Sequence, residues 1–262
     1  MKKKRKGMKR RSAIIALAQI RYFDINKSNN VEKIKKYIRL AKKRNADIIC
    51  FPENAVTKIK TLHFDDKFVR EIKQECKDNS IWCIITENFI LKGKPYNLTI
   101  LINREGKIVG SYKKINLYGD SDEVIPGRQV KVFQTDFAKI GIAVCWDLAF
   151  GDLFKKMKKK KAEIVFCPAF WCYEEKPYNR DHQKEEENLL RSLIRTRAFE
   201  NLYFVGLANP MLERKDRVAY SAIASPLRIL KEIIEKEGLI TAKINLNEIK
   251  KVEKVYAEEN IR

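Results

Sequence analysis

The feature of this sequence that most restricts its fold is a series of short apolar runs. Each run is too short for a core helix, is rich in Ile, Leu, Val or Phe, and ends at a polar residue or proline, which is typical of buried strands. The clearest runs cover residues 13–20, 46–51, 81–86, 140–144 and 163–167. These runs predict the central strands of one or more sheets.

Amphipathic segments lie between the apolar runs. Residues 31–41 place Val31, Ile34 and Ile38 at helical spacing with lysines between them, and residues 151–161 repeat that pattern. Residues 97–112 read as a hairpin with a turn at Glu105-Gly106. Alternating strands and helices with added hairpins predict an α/β domain with a mixed sheet or two packed sheets.

The domain prediction is a single unit with a short basic extension. No internal repeat or linker interrupts residues 13–262, and one domain fits that length. Residues 1–12 form the extension, which we expect to be a flexible arm, because eight of the first eleven residues are Lys or Arg and none is acidic. A hydrophobic fraction of 45% excludes a disordered basic protein.

The net charge of +21 makes nucleic acid or another acidic partner the first alternative to consider. A second basic feature is the run of lysines at 155–161, where Leu153, Phe154 and Met157 supply an apolar face. That arrangement favours a solvent-exposed helix surface, and the chain has no RNP motif and no Cys/His finger. Nucleic-acid binding therefore stays as an alternative that is not favoured.

The hydropathy pattern and the cysteines indicate the cellular compartment in which we expect this protein. No run approaches the roughly 18 apolar residues that a membrane-spanning helix needs, so no membrane is expected. Six cysteines occur without a CxxC pair, which argues against a disulfide scaffold and against a zinc site. We expect a soluble cytoplasmic protein with reduced thiols and no metal.

Three side chains at the ends of predicted strands have useful chemistry. Ligands of α/β folds bind beyond the carboxyl ends of strands, and Glu53, Lys114 and Cys145 follow apolar runs directly. A thiol, a carboxylate and an ammonium suffice for acyl transfer without histidine. The two histidines, His63 and His182, do not flank a buried strand end, and we interpret them as ordinary.

The context of these three residues resembles the nitrilase superfamily, the carbon–nitrogen hydrolases. The resemblance runs from about residue 13 to about residue 250 and is carried by five segments in the family's order. They are ADIICFPE (46–53), YNLTILINREGKIVGSYKKINL (96–117), GIAVCWDLAF (141–150), RTRAFENLYFVGLAN (195–209) and EGLITAKINL (237–246). One such match is weak evidence, whereas five in order identify the chain as a divergent member.

The resemblance implies a four-layer α-β-β-α sandwich and assigns roles to the three residues. Glu53 is implied as general base, Lys114 as the lysine that stabilises the oxyanion, and Cys145 as nucleophile. Lys113 would replace Lys114 if the alignment slipped by one residue, and the sequence does not decide which lysine faces the pocket. The family also has a second glutamate before the Pro-Gly pair, for which we choose Glu123 and keep Asp120 and Asp122 as alternatives.

The implied activity is hydrolysis of a non-peptide C–N bond in a small amide or carbamoyl compound through a cysteine thioester, with release of ammonia or amine. No cofactor is implied, and nitrile hydrolysis on the same three residues is the alternative. Trp146, Phe170 and Trp171 are expected to border the substrate pocket, although core packing explains Phe170 and Trp171 about as well. The family further implies a homodimer or a larger even oligomer.

Overall fold

The computed structural model describes residues 11–22, 28–58, 60–119, 123–171, 180–211 and 218–258. Within these ranges the chain forms two six-stranded sheets and five α-helices. The strands are β1 (Ser12–Gln19), β2 (Ile48–Glu53), β3 (Trp82–Leu91), β4 (Lys94–Ile102), β5 (Ile108–Lys113), β6 (Val132–Gln134), β7 (Lys139–Ile142), β8 (Ile164–Pro168), β9 (Phe204–Ala208), β10 (Tyr220–Ala224), β11 (Ile229–Ile234) and β12 (Gly238–Asn245). The helices are α1 (Val31–Lys43), α2 (Lys67–Asp78), α3 (Gly151–Lys159), α4 (Arg180–Asn201) and α5 (Asn247–Glu258).

The two sheets face each other and each carries helices on its outer side. The first has the order β12-β1-β2-β3-β4-β5 and packs against α1 and α2, and the second has the order β11-β10-β9-β8-β7-β6 and packs against α3 and α4. Side chains such as Leu17, Ile84, Phe166 and Phe204 fill the space between the sheets. The architecture is the expected four-layer α-β-β-α sandwich, which confirms the fold prediction.

Strand β1 shows why its sequence is apolar almost throughout. Ile15 and Leu17 point into the space between the sheets, whereas Ala16, Ala18 and Ile20 point toward α1. Because successive side chains of a strand alternate between faces, a strand covered on both sides needs apolar residues at nearly every position. This double burial produced the pattern that predicted the fold.

Two strands and the hairpin between β3 and β4 were not predicted. β6 has three residues and β11 is half-exposed, so neither has a buried apolar run. β3 continues to Leu91 and turns through Lys92 and Gly93 into β4, with φ angles of 54° and 73° at the two turn residues. Positive φ at both positions suits a tight hairpin turn.

The predicted basic arm falls mostly outside the part of the chain that the structure describes. Residues 1–10 of the predicted basic arm lie outside the described residues, and Ser12, which was assigned to the arm, begins β1. No helix in the described part of the chain is both long enough and apolar enough to span a membrane.

Candidate active site

Glu53 ends β2 and is held from several sides. Its Oε1 accepts a hydrogen bond from Asn97 Nδ2 at 2.7 Å and one from Lys114 Nζ at 3.1 Å. Its Oε2 accepts from the backbone N–H of Phe170 at 3.1 Å. The residue is only 2% exposed. Charge-assisted bonds of this kind fix the orientation of a buried carboxylate and offset its desolvation.

Lys114, rather than Lys113, lies beside Glu53. Lys113 is the last residue of β5, and its Nζ lies 3.2 Å from the centroid of the Tyr96 ring. Lys114 is 3% exposed, donates its backbone N–H to Asn97 O at 2.9 Å, and accepts at its carbonyl from Gly127 N at 2.7 Å. A Cβ at position 127 would lie 2.4 Å from the Lys113 carbonyl oxygen, so this close approach requires glycine.

Cys145 follows β7 at a strained turn. Its φ is +47°, in the left-handed region, and it begins a 3₁₀ turn, Cys145–Ala149. The residue is 8% exposed, whereas the other cysteines of the described residues are fully inaccessible. The turn therefore presents this sulfur to the cavity beside Glu53 and Lys114.

Asp147 connects the turn that begins at Cys145 with the residues around Lys114 through hydrogen bonds. Its Oδ2 accepts from Tyr112 Oη at 2.7 Å and from the Val144 backbone N–H at 3.0 Å. Its Oδ1 accepts from the backbone N–H and the side-chain amide of Asn116, each at 2.8 Å. Asn116 therefore serves as a double donor to Asp147. One buried carboxylate thus connects the residues before Cys145 with those after Lys114.

The surroundings of Cys145 favour the protonated form of its thiol. Burial raises its pKa well above the usual range, and the negative charge of Glu53 adds to that rise. Lys114 and the Phe170 N–H act in the opposite direction but do not outweigh these two effects. Burial is the larger effect, and the α-helix that follows Cys145 begins only at Gly151.

A second buried carboxyl group, Glu87, lies near Glu53. Burial raises its pKa to about 8, with a smaller rise from the charge of Glu53 and opposing effects from the backbone N–H groups of Val56 and Thr57. Near neutral pH this group is therefore mainly uncharged. Glu87 therefore adds little negative charge near Glu53. The ion-pair partner of Glu53 is Lys114.

The three predicted residues line one cavity of about 380 Å³, which we call the cysteine pocket. The predicted substrate-binding residues Trp146, Phe170 and Trp171 also line it. The described residues that line it are Glu53, Asn54, Lys114, Tyr118, Gly119, Cys145, Trp146, Phe170, Trp171, Glu186 and Leu189. The structure thus brings six of the seven predicted site residues together.

Glu123 is the predicted site residue that the structure does not bring into this pocket. It is exposed and is absent from the described lining residues. The alternatives Asp120 and Asp122 lie outside the described residues, so a second acidic residue stays a prediction. His63 and His182 do not line the pocket, and the described residues contain no cluster with the make-up of a metal site.

Sequence reasoning missed several residues that the geometry brings forward. Asn97 lies in the family-like segment 96–117 and Asp147 in the segment 141–150, so the resemblance could have indicated both residues. Glu186 had no local signal, because it lies between Glu185 and Glu187 in a charged helix. Only the packing of α4 shows which of these three glutamates reaches the pocket.

Comparison with known proteins agrees with this geometry. The carbon-nitrogen hydrolase family model matches residues 14–254. The 2-oxoglutaramate amidase of Bacillus subtilis is 28% identical over 258 residues, which cover 92% of this chain and 95% of that protein. Omega-amidase NIT2 of Xenopus tropicalis is 25% identical over 244 residues, with 84% of each chain covered.

Solved structures share the fold. A carbon-nitrogen hydrolase from Helicobacter pylori superimposes with a TM-score of 0.86 at 18% identity and covers 97% of this chain and 96% of that one. A Nesterenkonia amidase of the nitrilase superfamily superimposes with a TM-score of 0.77 at 17% identity and covers 95% of this chain and 96% of that one. That structure is of a mutant with the acetamide moiety of fluoroacetamide covalently added at its active-site cysteine. Because the family model spans nearly the whole chain and the fold agrees with it, this protein belongs to the carbon-nitrogen hydrolase family.

Proposed function

We propose that this enzyme hydrolyses the C–N bond of a small amide, with Cys145 as nucleophile, Glu53 as general base and Lys114 as oxyanion stabiliser. The observation that carries the proposal is the meeting of these three groups in one buried pocket, with Lys114 Nζ 3.1 Å from Glu53 Oε1. The amidases among the relatives support an amide substrate. Nitrile hydrolysis on the same three residues stays the alternative, because a probable nitrilase of Schizosaccharomyces pombe, 25% identical over 247 residues, is also among the relatives.

The first half of the reaction forms a thioester. Because the resting thiol is neutral, Glu53 removes its proton as Sγ bonds to the amide carbon. The carbonyl oxygen becomes an oxyanion, which the Lys114 ammonium and the N–H of Trp146, at the start of the 3₁₀ turn, can stabilise. Glu53 then gives the proton to the nitrogen, the C–N bond breaks, and ammonia leaves.

The second half releases the acid. Glu53 takes a proton from water, the hydroxide adds to the thioester carbon, and the same donors stabilise the second oxyanion. Collapse breaks the S–C bond and returns the proton from Glu53 to Sγ. The three hydrogen bonds from Asn97, Lys114 and Phe170 keep the carboxylate in place through both proton transfers.

Assembly and compartment are further parts of the proposal. Phe150, five residues after Cys145, and Phe199, on α4, are 42% and 45% exposed and offer apolar surface for pairing. The resemblance to the nitrilase superfamily implies pairing through these two regions. We therefore propose a homodimer or larger even oligomer, which light scattering would measure directly. The described cysteines are free thiols, which supports a reducing compartment such as the cytoplasm.

The test is a screen of primary amides, carbamoyl amino acids and nitriles for ammonia release, with Cys145→Ala as the comparison. We expect wild-type turnover of at least one amide and a loss of about 10⁴-fold or more in Cys145→Ala, because removal of a covalent nucleophile eliminates the reaction path. Cys167→Ala, which removes a neighbouring buried thiol, is the matched control. Undiminished ammonia release by Cys145→Ala would exclude the proposed mechanism.

A further inference from the structure

The lining of the cysteine pocket includes a carboxylate that the mechanism does not use. Glu186, on α4, lines the pocket and accepts a hydrogen bond at Oε2 from the indole Nε1 of Trp171 at 3.0 Å. Trp171 is 6% exposed, and Asn209 Oδ1 accepts its backbone N–H at 2.9 Å. The indole is therefore fixed, and it fixes one oxygen of Glu186. The other oxygen, Oε1, accepts no hydrogen bond from the described residues.

Aromatic rings surround this part of the pocket. The centroids of Trp146 and Trp171 are 5.5 Å apart, and those of Tyr118 and Trp146 are 4.7 Å apart, at interplanar angles of 42° and 41°. All three residues line the pocket, and the faces of such rings are electron-rich. Such faces attract ammonium and guanidinium groups, and indole is the best of them.

The described side chains that line the pocket include more carboxylates than cations. Lys114 is the one cation among the described lining residues, and it is paired with Glu53. Glu186 forms no ion pair with any described cation, although the chain has a net charge of +21. A carboxylate on a substrate would face Glu186 without a described arginine to receive it. A cation would gain both the carboxylate and the rings.

We infer that the pocket selects primary amides whose acyl group ends in an ammonium or guanidinium group, and that Glu186 is the residue that determines this specificity. Trp146 and Trp171 supply the ring faces against which the cation lies. This inference rests on the proposed amidase function, since it assigns the substrate class of the same pocket. It differs from a general preference for apolar acyl groups, which the rings alone would give.

The first test compares three amides of equal length: 5-aminopentanamide, hexanamide and the monoamide of adipic acid. They end in an ammonium, a methyl group and a carboxylate. We expect kcat/KM to fall by about tenfold at each step, mainly through KM. Glu186→Gln keeps an acceptor for the Trp171 indole and removes the charge, so it should lose the preference over hexanamide. Glu185→Gln, an adjacent exposed glutamate outside the pocket, should keep it.

The second test does not depend on amide turnover. Cys145 is modified with methanethiosulfonates that transfer a 2-(trimethylammonio)ethylthio, methylthio or 2-sulfonatoethylthio group. In each case the cysteine thiolate attacks the reagent's thiol-level sulfur, a disulfide forms, and methanesulfinate leaves. We expect the cationic reagent to react fastest, and its advantage over the anionic one to fall by about tenfold in Glu186→Gln but not in Glu185→Gln.

The outcomes separate the two proposals. If no amide is hydrolysed, the proposed function fails, while the modification rates still decide the charge preference of the pocket. If amides are hydrolysed but the monoamide of adipic acid is the best substrate, or Glu186→Gln changes neither ratio, the inference is overturned and the amidase function stands.

Discussion

The cysteine pocket and a larger groove on the second sheet use lysine in opposite ways. The groove, which we call the basic groove, has a volume of about 1020 Å³ and runs along β6, β7 and α3. Its cationic residues are Arg128, Lys131, Lys139, Lys156 and Lys160. Four of the five are exposed, and none forms an ion pair with a carboxylate of the described residues. The pocket has one described lysine, which is buried and paired.

The difference shows that burial, and not the number of charges, decides how strongly a lysine interacts with a neighbouring charge. Two unit charges about 4 Å apart interact by about 1 kcal/mol in water and about 4 kcal/mol at the effective dielectric of a protein. Lys114 lies in the second environment, and the groove lysines lie in the first. The net charge of +21 therefore describes the surface, while the proposed reaction depends on Lys114.

The largest difference that we expect between the two regions comes from replacing one lysine in each. Lys114→Met removes the ammonium beside Glu53 and should lower kcat by about 10²–10³-fold, the usual cost of losing one oxyanion donor. Lys160→Met removes an exposed ammonium in the basic groove and should change kcat less than about twofold. The measurement is ammonia release at saturating substrate. A similar loss in both variants would show that the two regions do not differ as described.

Asp147 allows the same comparison for stability. Asp147→Ala leaves the Tyr112 hydroxyl, the Val144 N–H and the Asn116 donors without their acceptor, and should lower the free energy of unfolding by about 2–3 kcal/mol. Asp152→Ala removes an exposed carboxylate from α3 and should change it by less than about 0.5 kcal/mol. Urea denaturation measures both. Equal midpoints would mean that Asp147 does not hold the two loops together.

The sequence predicted the parts of the fold and site that depend on local pattern. Strands buried on both faces produce apolar runs, and the ends of β2, β5 and β7 meet at one place, so Glu53, Lys114 and Cys145 could be found by position. The choice between Lys113 and Lys114 needed the structure, because it depends on the end of β5 and the stacking of Lys113 on Tyr96.

Features that depend on tertiary packing could not be predicted. The half-exposed edge strand β11 has a mixed sequence with no strong period. Glu186 is distinguished from Glu185 and Glu187 only by the way α4 lies over the pocket. The raised pKa of Cys145 follows from burial, which a sequence does not report.

The smallest effect concerns the ionisation of Cys145. Because the charge of Glu53 raises the pKa of this thiol and Lys114 lowers it, Glu53→Gln should lower that pKa and Lys114→Met should raise it. At pH 8, alkylation by iodoacetamide should be about fivefold faster in Glu53→Gln than in wild type, since the thiolate is the reacting form. Lys160→Met should leave the rate unchanged, because that lysine is exposed in the basic groove. Slower alkylation in Glu53→Gln across the pH range would contradict the electrostatic effect of Glu53, and would leave burial alone to account for the neutral thiol.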